Sequence, residues 1–153
     1  GLNDSKKLTA KRREALYDLI TSQAAAYHVA FVSAEEIDQM DILNARMLAG
    51  LSHPVAEAGP DYALIDGNRA RDFGLPVETV IGGDGKSANI AAASILAKVT
   101  RDRYMEQQAE LYPQYGFETH KGYGTKRHYA ALTAYGPCPL HRQSFLKKFY
   151  EGK

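Results

Sequence analysis

The stretch DYALIDGNRARDFGLPVETVIGGDGKSANIAAASILAKV, residues 61–99, decides the fold class. Tyr62–Ile65 is a short apolar run stopped by Asp66-Gly67-Asn68, and Glu78–Ile81 is a second, stopped by Gly82-Gly83. Short apolar runs closed by turn residues read as strands. From about Ser87 to Leu111 the sequence predicts the longest helix, broken by Pro113. Its first half (SANIAAASILAKV) is small or apolar and is expected to be enclosed. Its second half (TRDRYMEQQAEL) is amphipathic and is expected to face water.

Towards the amino terminus, Thr9 can cap a helix running to about Ser22, with Ala15, Leu16, Leu19 and Ile20 on one face. Tyr27–Val32 reads as a strand. Ser33 and Glu36 form a capping box that starts a short helix. Asp41 caps a second one, in which Leu43, Met47, Leu51 and Val55 make a buried stripe ended by Gly59-Pro60. Beyond Pro113 the sequence predicts a loop to Gly124, a helix over Lys126–Tyr135 and a last one over Gln143–Tyr150. The order of elements is that of an α/β protein. Three strands make a thin sheet, below the usual number of about 4 to 6, and point to further strands upstream of Gly1.

At 153 residues the chain fits one domain with a real core, and 44% hydrophobic with 24% charged residues is ordinary for a globular protein. A formal charge of +1 announces no nucleic-acid binder, so any basic footprint is local. Clusters occur at Lys6, Lys7, Lys11, Arg12 and Arg13, at Lys121, Lys126, Arg127 and His128, and at His141, Arg142, Lys147 and Lys148; each also reads as plain solvated charge. One cysteine, Cys138, excludes an internal disulfide framework and a multi-cysteine zinc site. No signal peptide is recognisable, and no apolar run approaches the roughly 20 residues of a membrane span. The expectation is a cytoplasmic protein with no membrane partner, a monomer when complete.

Asp66 and Asp84 each follow an apolar strand, which places them at the sheet edge where α/β proteins hold ligands. Two such carboxylates can share a magnesium ion, because magnesium keeps waters and phosphate oxygens as its other ligands. Each Asp equally well caps a turn or helix. Lys86 can neutralise a phosphate or Asp84 itself; the spacing around it is not that of a P-loop. Tyr123 sits between Gly122 and Gly124, exposed enough to stack on a sugar or base, or else anchoring its loop to the core. His120, His128 and His141 lack the spacing of zinc helices and read as surface or phosphate-contacting groups. Leu140-His141-Arg142 is a basic patch or a solvated turn.

LNDSKKL (Leu2–Leu8), LIDGNR (Leu64–Arg69), GGDGKS (Gly82–Ser87) with IAAASILAKVTRDR (Ile90–Arg103), YPQYGFETHKGYGT (Tyr112–Thr125) and HRQSF (His141–Phe145) together resemble bacterial ribonuclease HII, in order over essentially the whole chain. The resemblance implies a ribonuclease H-like fold, with a mixed sheet flanked by helices and a helical C-terminal part at about 104–153. It implies an endonuclease that hydrolyses RNA in RNA–DNA hybrids and cuts at single ribonucleotides in duplex DNA, using Mg²⁺ or Mn²⁺. By motif, Asp66 and Asp84 would be catalytic, metal-binding acids, Asp84 the last of a set of four. Tyr123 would stack at the RNA–DNA junction, and Lys6 would lie near the substrate backbone. Lys86, Lys121, His141 and Arg142 complete the expected substrate-binding set.

One departure stands out. Members of that family begin with a strand carrying an adjacent Asp-Glu pair, followed by a Gly-Arg-Gly that reads the 2′-hydroxyl. Nothing like it occurs in these 153 residues. The expectation is therefore an amino-terminally incomplete chain, its first strands missing and its catalysis impaired. Two other readings follow: a non-catalytic nucleic-acid-binding remnant, or a subunit completed by a partner's strand.

Overall fold

The computed structural model describes residue 2, residues 7–45 and residues 59–151. The chain packs as two compact units, Gly1–Ala30 with Met47–Thr100, and Phe31–Arg46 with Arg101–Lys153.

In the first unit, α1 (Ala10–Gln23) starts where Thr9 turns its hydroxyl onto the Arg12 amide, 3.3 Å away. Its apolar face is narrower than the sequence predicts. Leu16 is buried with Tyr17 and Ile20 packed beside it, whereas Ala15 and Leu19 are exposed. Positions 16 and 20 lie one above the other on a helix, and 15 and 19 fall on the neighbouring row. Leu16 meets Ile95 and Val99 of α3 (Ala88–Leu111), and Ile95 is 0% exposed.

Strands β1 (Ala63–Asp66) and β2 (Val77–Val80) run parallel, Ala63 level with Val77 and Asp66 with Val80. Both are shifted by one residue from the sequence reading, so Asp66 ends β1 rather than following it. The strand expected over Tyr27–Val32 does not form; it has no ladder partner among the described residues, and Tyr27 and Phe31 are largely exposed. Apolar, β-branched composition makes a strand only where a neighbour offers backbone hydrogen bonds. The first half of α3 is also less enclosed than expected. Ile90, Ala91, Ile95, Leu96 and Val99 are buried, while Asn89, Ala93 and Ala97 line an open apolar concavity.

In the second unit, α2 (Ala34–Met40) opens with the full capping box: Ser33 accepts from the Glu36 amide at 3.1 Å, and Glu36 accepts from the Ser33 amide at 2.8 Å. Asp41 then accepts from the Leu43 and Asn44 amides at 2.8 and 2.9 Å, starting the helical turn at 42–45. The stripe through Met47, Leu51 and Val55 lies outside the described residues.

The segment expected as loop after Pro113 is instead ordered into a 3₁₀ turn (Pro113–Tyr115) and the short helix α4 (Phe117–His120). Tyr115 and Phe117 stack at 5.2 Å in a core with Met105, Leu132, Cys138 and Leu146. The Tyr115 hydroxyl donates to the Gly136 carbonyl at 2.7 Å. Helices α5 (Lys126–Tyr135) and α6 (Gln143–Glu151) fall where the sequence predicts. Asp38 of α2 caps α6 through the Gln143 and Ser144 amides. Among the described residues no helix is long and apolar enough to cross a membrane.

Candidate active site

Asp66 is exposed at the carboxyl end of β1, and its Oδ1 accepts from the Gly83 amide at 2.9 Å. That amide belongs to a 3₁₀ turn (Gly83–Gly85) with half-buried Asp84 at its centre. The turn is possible because Gly82 takes φ +66°, a left-handed conformation that side chains resist. Gly83 is buried, and a Cβ there would come within 2.5 Å of Ile90 Cδ1 and 3.3 Å of Asp66 Oδ1. Both acids predicted from sequence therefore belong to one edge, the Asp66 carboxylate bonded to the residue next to Asp84. Lys86 folds back, its ammonium donating to the Ile81 carbonyl at 2.8 Å. Lys6 lies outside the described residues.

Among the described residues no cluster of three or more His, Cys, Asp or Glu side chains is placed to hold a metal ion. A pair of carboxylates still fits a magnesium-like ion, which commonly takes one or two of them and completes its shell with water and phosphate oxygens.

In the second unit the Tyr123 loop is tied down through its backbone while the ring stays 57% exposed. The Tyr123 amide donates to the His120 carbonyl at 2.8 Å. Its carbonyl accepts from the Thr125 amide at 2.8 Å and meets His128 Nδ1 at 3.0 Å. Gly122, at φ +80°, makes the bend. The Arg101 guanidinium sits 5.2 Å from the Tyr123 ring centre, and that of Arg142 sits 5.4 Å from the Phe145 ring. Arg101, Tyr123, Tyr129, Arg142 and Phe145 line part of a cleft of about 360 Å³. Lys121 reaches the Glu106 carboxylate and the Glu118 carbonyl, so its charge is already partnered.

The histidines depart from expectation. His120 and His128 are 7% and 6% exposed and stack on each other at 4.6 Å; neither is a surface group. His141, expected to touch substrate, has its Nε2 2.9 Å from His128 Nε2 and its Nδ1 accepting from the Cys138 amide at 2.9 Å. Both of its ring nitrogens are engaged inside the unit. Burial pushes the pKa of His128 and His141 down, and that of the Cys138 thiol up. Sequence reasoning missed this because each histidine stands next to a basic residue (Lys121, Arg127, Arg142) and so reads as part of a solvated cluster. The eight-residue interval from His120 to His128 brackets the loop, but that interval alone does not signal stacking.

A parallel strand pair carrying an acid at its edge, followed by a glycine turn carrying a second acid and a long helix, is an α/β arrangement that fits the ribonuclease H-like class, the fold of a solved relative. The sequence profile of the Ribonuclease HII family matches residues 1–148, and the chain belongs to that family, whose members hydrolyse RNA in RNA–DNA hybrids. It is 51% identical over 148 residues to ribonuclease HII of Caldicellulosiruptor saccharolyticus, covering 96% of this chain and 72% of that one. It is 52% identical to ribonuclease HII of Shewanella amazonensis, covering 95% and 71%. Among solved structures it is similar to a chain of the PCNA–RNase HII complex from Archaeoglobus fulgidus, with TM-score 0.73 and 26% identity, over 96% of this chain and 78% of that one.

Proposed function

We propose that Asp66 and Asp84 together carry divalent-metal-assisted hydrolysis of a phosphodiester at a ribonucleotide, either in an RNA–DNA hybrid or as a single ribonucleotide in duplex DNA. The observation that carries this reading is the hydrogen bond from Gly83 to Asp66, which joins the two acid-bearing segments at one sheet edge. Mg²⁺ or Mn²⁺ bound there would lower the pKa of a bound water and neutralise charge on the scissile phosphate. The chain's own contribution is orientation. The Gly83 amide fixes the Asp66 carboxylate, and Asp84 is the next residue along the same turn.

Tyr123 would stack against the sugar at the RNA–DNA junction, with its loop backbone already tied and its ring exposed. Arg142, and Lys86 and Lys121 once they exchange their present partners, would meet backbone phosphates. The test is cleavage of a duplex with one embedded ribonucleotide. Activity that requires a divalent ion and is lost in Asp84→Asn, with the melt unchanged, supports the reading. Metal-independent cleavage, or full activity of Asp84→Asn, would overturn it.

A second reading is a duplex-binding protein without turnover. The absence of a third metal-ligating side chain beside the acid pair, among the described residues, favours it. Tight hybrid binding with no cleavage at saturating Mg²⁺ or Mn²⁺ would establish it.

A further inference from the structure

The proposed chemistry makes no use of buried His120 and His128 or of half-buried His141, yet their hydrogen bonds fix their tautomers. The Tyr123 carbonyl only accepts, so His128 carries its proton on Nδ1 and presents Nε2 as an acceptor. His141 must then donate from Nε2, leaving its Nδ1 to accept from the Cys138 amide, as observed. Separately, His120 donates from Nε2 to the Tyr115 carbonyl at 2.8 Å and accepts the Gly122 amide on Nδ1 at 3.2 Å. All three rings are satisfied in the neutral state. His120 and His128 are further clamped by their own stack and by the Phe117 ring, edge-on to both at 5.9 and 5.6 Å.

The two chains of bonds end on adjacent residues, Gly122 and Tyr123. An aromatic side chain 57% exposed on a glycine-flanked loop is ordinarily mobile; here both of the neighbouring backbone groups are held by imidazoles that are themselves held.

We propose that His128, oriented by His141 and stacked on His120, is a positioning residue that holds the Tyr123 loop in the pose that engages the ribonucleotide junction. The inference rests on the reading that Tyr123 contacts the junction. His128 acts only through that loop, and it selects substrate rather than transferring protons.

The test compares affinities of the intact protein for a duplex with one ribonucleotide and for the same duplex in all-DNA form. His128→Phe keeps the ring and removes the donor. It should weaken ribonucleotide-duplex binding about tenfold, as for one lost hydrogen bond with its ordering, and leave all-DNA binding unchanged. His128→Asn, which can still donate to the Tyr123 carbonyl, should recover most of the difference. In a Tyr123→Ala background His128→Phe should have no further effect.

If Tyr123→Ala alone changes nothing, the junction-contact reading fails. If Tyr123→Ala weakens binding but His128→Phe does not, or the two effects add, the positioning role fails. A ¹⁵N imidazole spectrum of the unmutated protein at neutral pH keeps the test decisive should a variant misfold. It should show His128 protonated at Nδ1 and His120 and His141 at Nε2; any other pattern overturns the relay.

Discussion

The Gly83 amide donates to Asp66 Oδ1 across 2.9 Å, and this bond joins the end of β1 to the turn that carries Asp84. A glycine at 83 is what lets the turn approach: a methyl there would meet the Ile90 side chain at 2.5 Å and crowd Asp66 Oδ1 at 3.3 Å. Placement of the two acids therefore depends on a residue that has no chemistry of its own. Gly83→Ala should cost about 10- to 100-fold in single-turnover cleavage through displacement of an acid side chain by a fraction of an ångström to 1 Å. Single-turnover rates at saturating protein measure it; an unchanged rate would show that the bond positions nothing.

The ion pair between Lys121 and Glu106 gives a prediction of opposite sign. Glu106 is exposed and holds the lysine ammonium, which also bonds the Glu118 carbonyl. Glu106→Gln should release that charge to a phosphate, tighten duplex binding at low salt and steepen the salt dependence by about one counterion. Binding isotherms from low to moderate ionic strength read both effects. Weaker binding in Glu106→Gln would mean that the lysine serves only to hold its loop.

Acid should loosen the second unit. His128 and His141 are held below their ordinary pKa by burial, so the unfolded chain binds more protons than the folded one as pH falls past about 6.5. Their contribution to stability is complete above that value and is lost as pH drops through the folded-state pKa values. Protonation of His128 also sets two N–H donors against each other at the 2.9 Å His128–His141 contact, and protonation of His141 does the same at its Nδ1, which accepts the Cys138 amide. The midpoint of thermal unfolding should fall from pH 7 to pH 5, and the fall should be shallower in His128→Asn. A pH-independent midpoint for the unmutated protein would contradict the neutral relay.

Ile95 closes the core of the first unit with no exposed surface, against Leu16 and Val99. Ile95→Ala should lower unfolding free energy by about 2–5 kcal/mol. Urea titration checks this, with a shifted midpoint and an unchanged slope expected.

Much of the scaffold was legible in the residues because local chemistry determined it. Thr9, and Ser33 with Glu36, each cap a helix through bonds within three residues, close enough to be read from the residues alone. The alternation of strand and glycine turn put each acid near a strand end, although the bond that joins the two segments spans seventeen residues. Tyr27–Val32 misled because a strand requires a neighbour that no local pattern supplies. His120, His128 and His141 misled for a different reason: a polar side chain is tucked in only when the folded backbone completes its hydrogen bonds, here at Tyr115, Tyr123 and Cys138, and no residue pattern signals such bends. Lys121 was read as a free cation because its partner, Glu106, lies fifteen residues away on α3.

The central claim is that Asp66 and Asp84 share one divalent ion. Paramagnetic broadening by substoichiometric Mn²⁺ in the amide spectrum tests it without reference to turnover. Selective loss of the Asp66, Gly67 and Gly83–Gly85 signals, abolished in Asp66→Asn with Asp84→Asn, is the predicted result. Broadening centred elsewhere, or surviving the double substitution, would contradict the account.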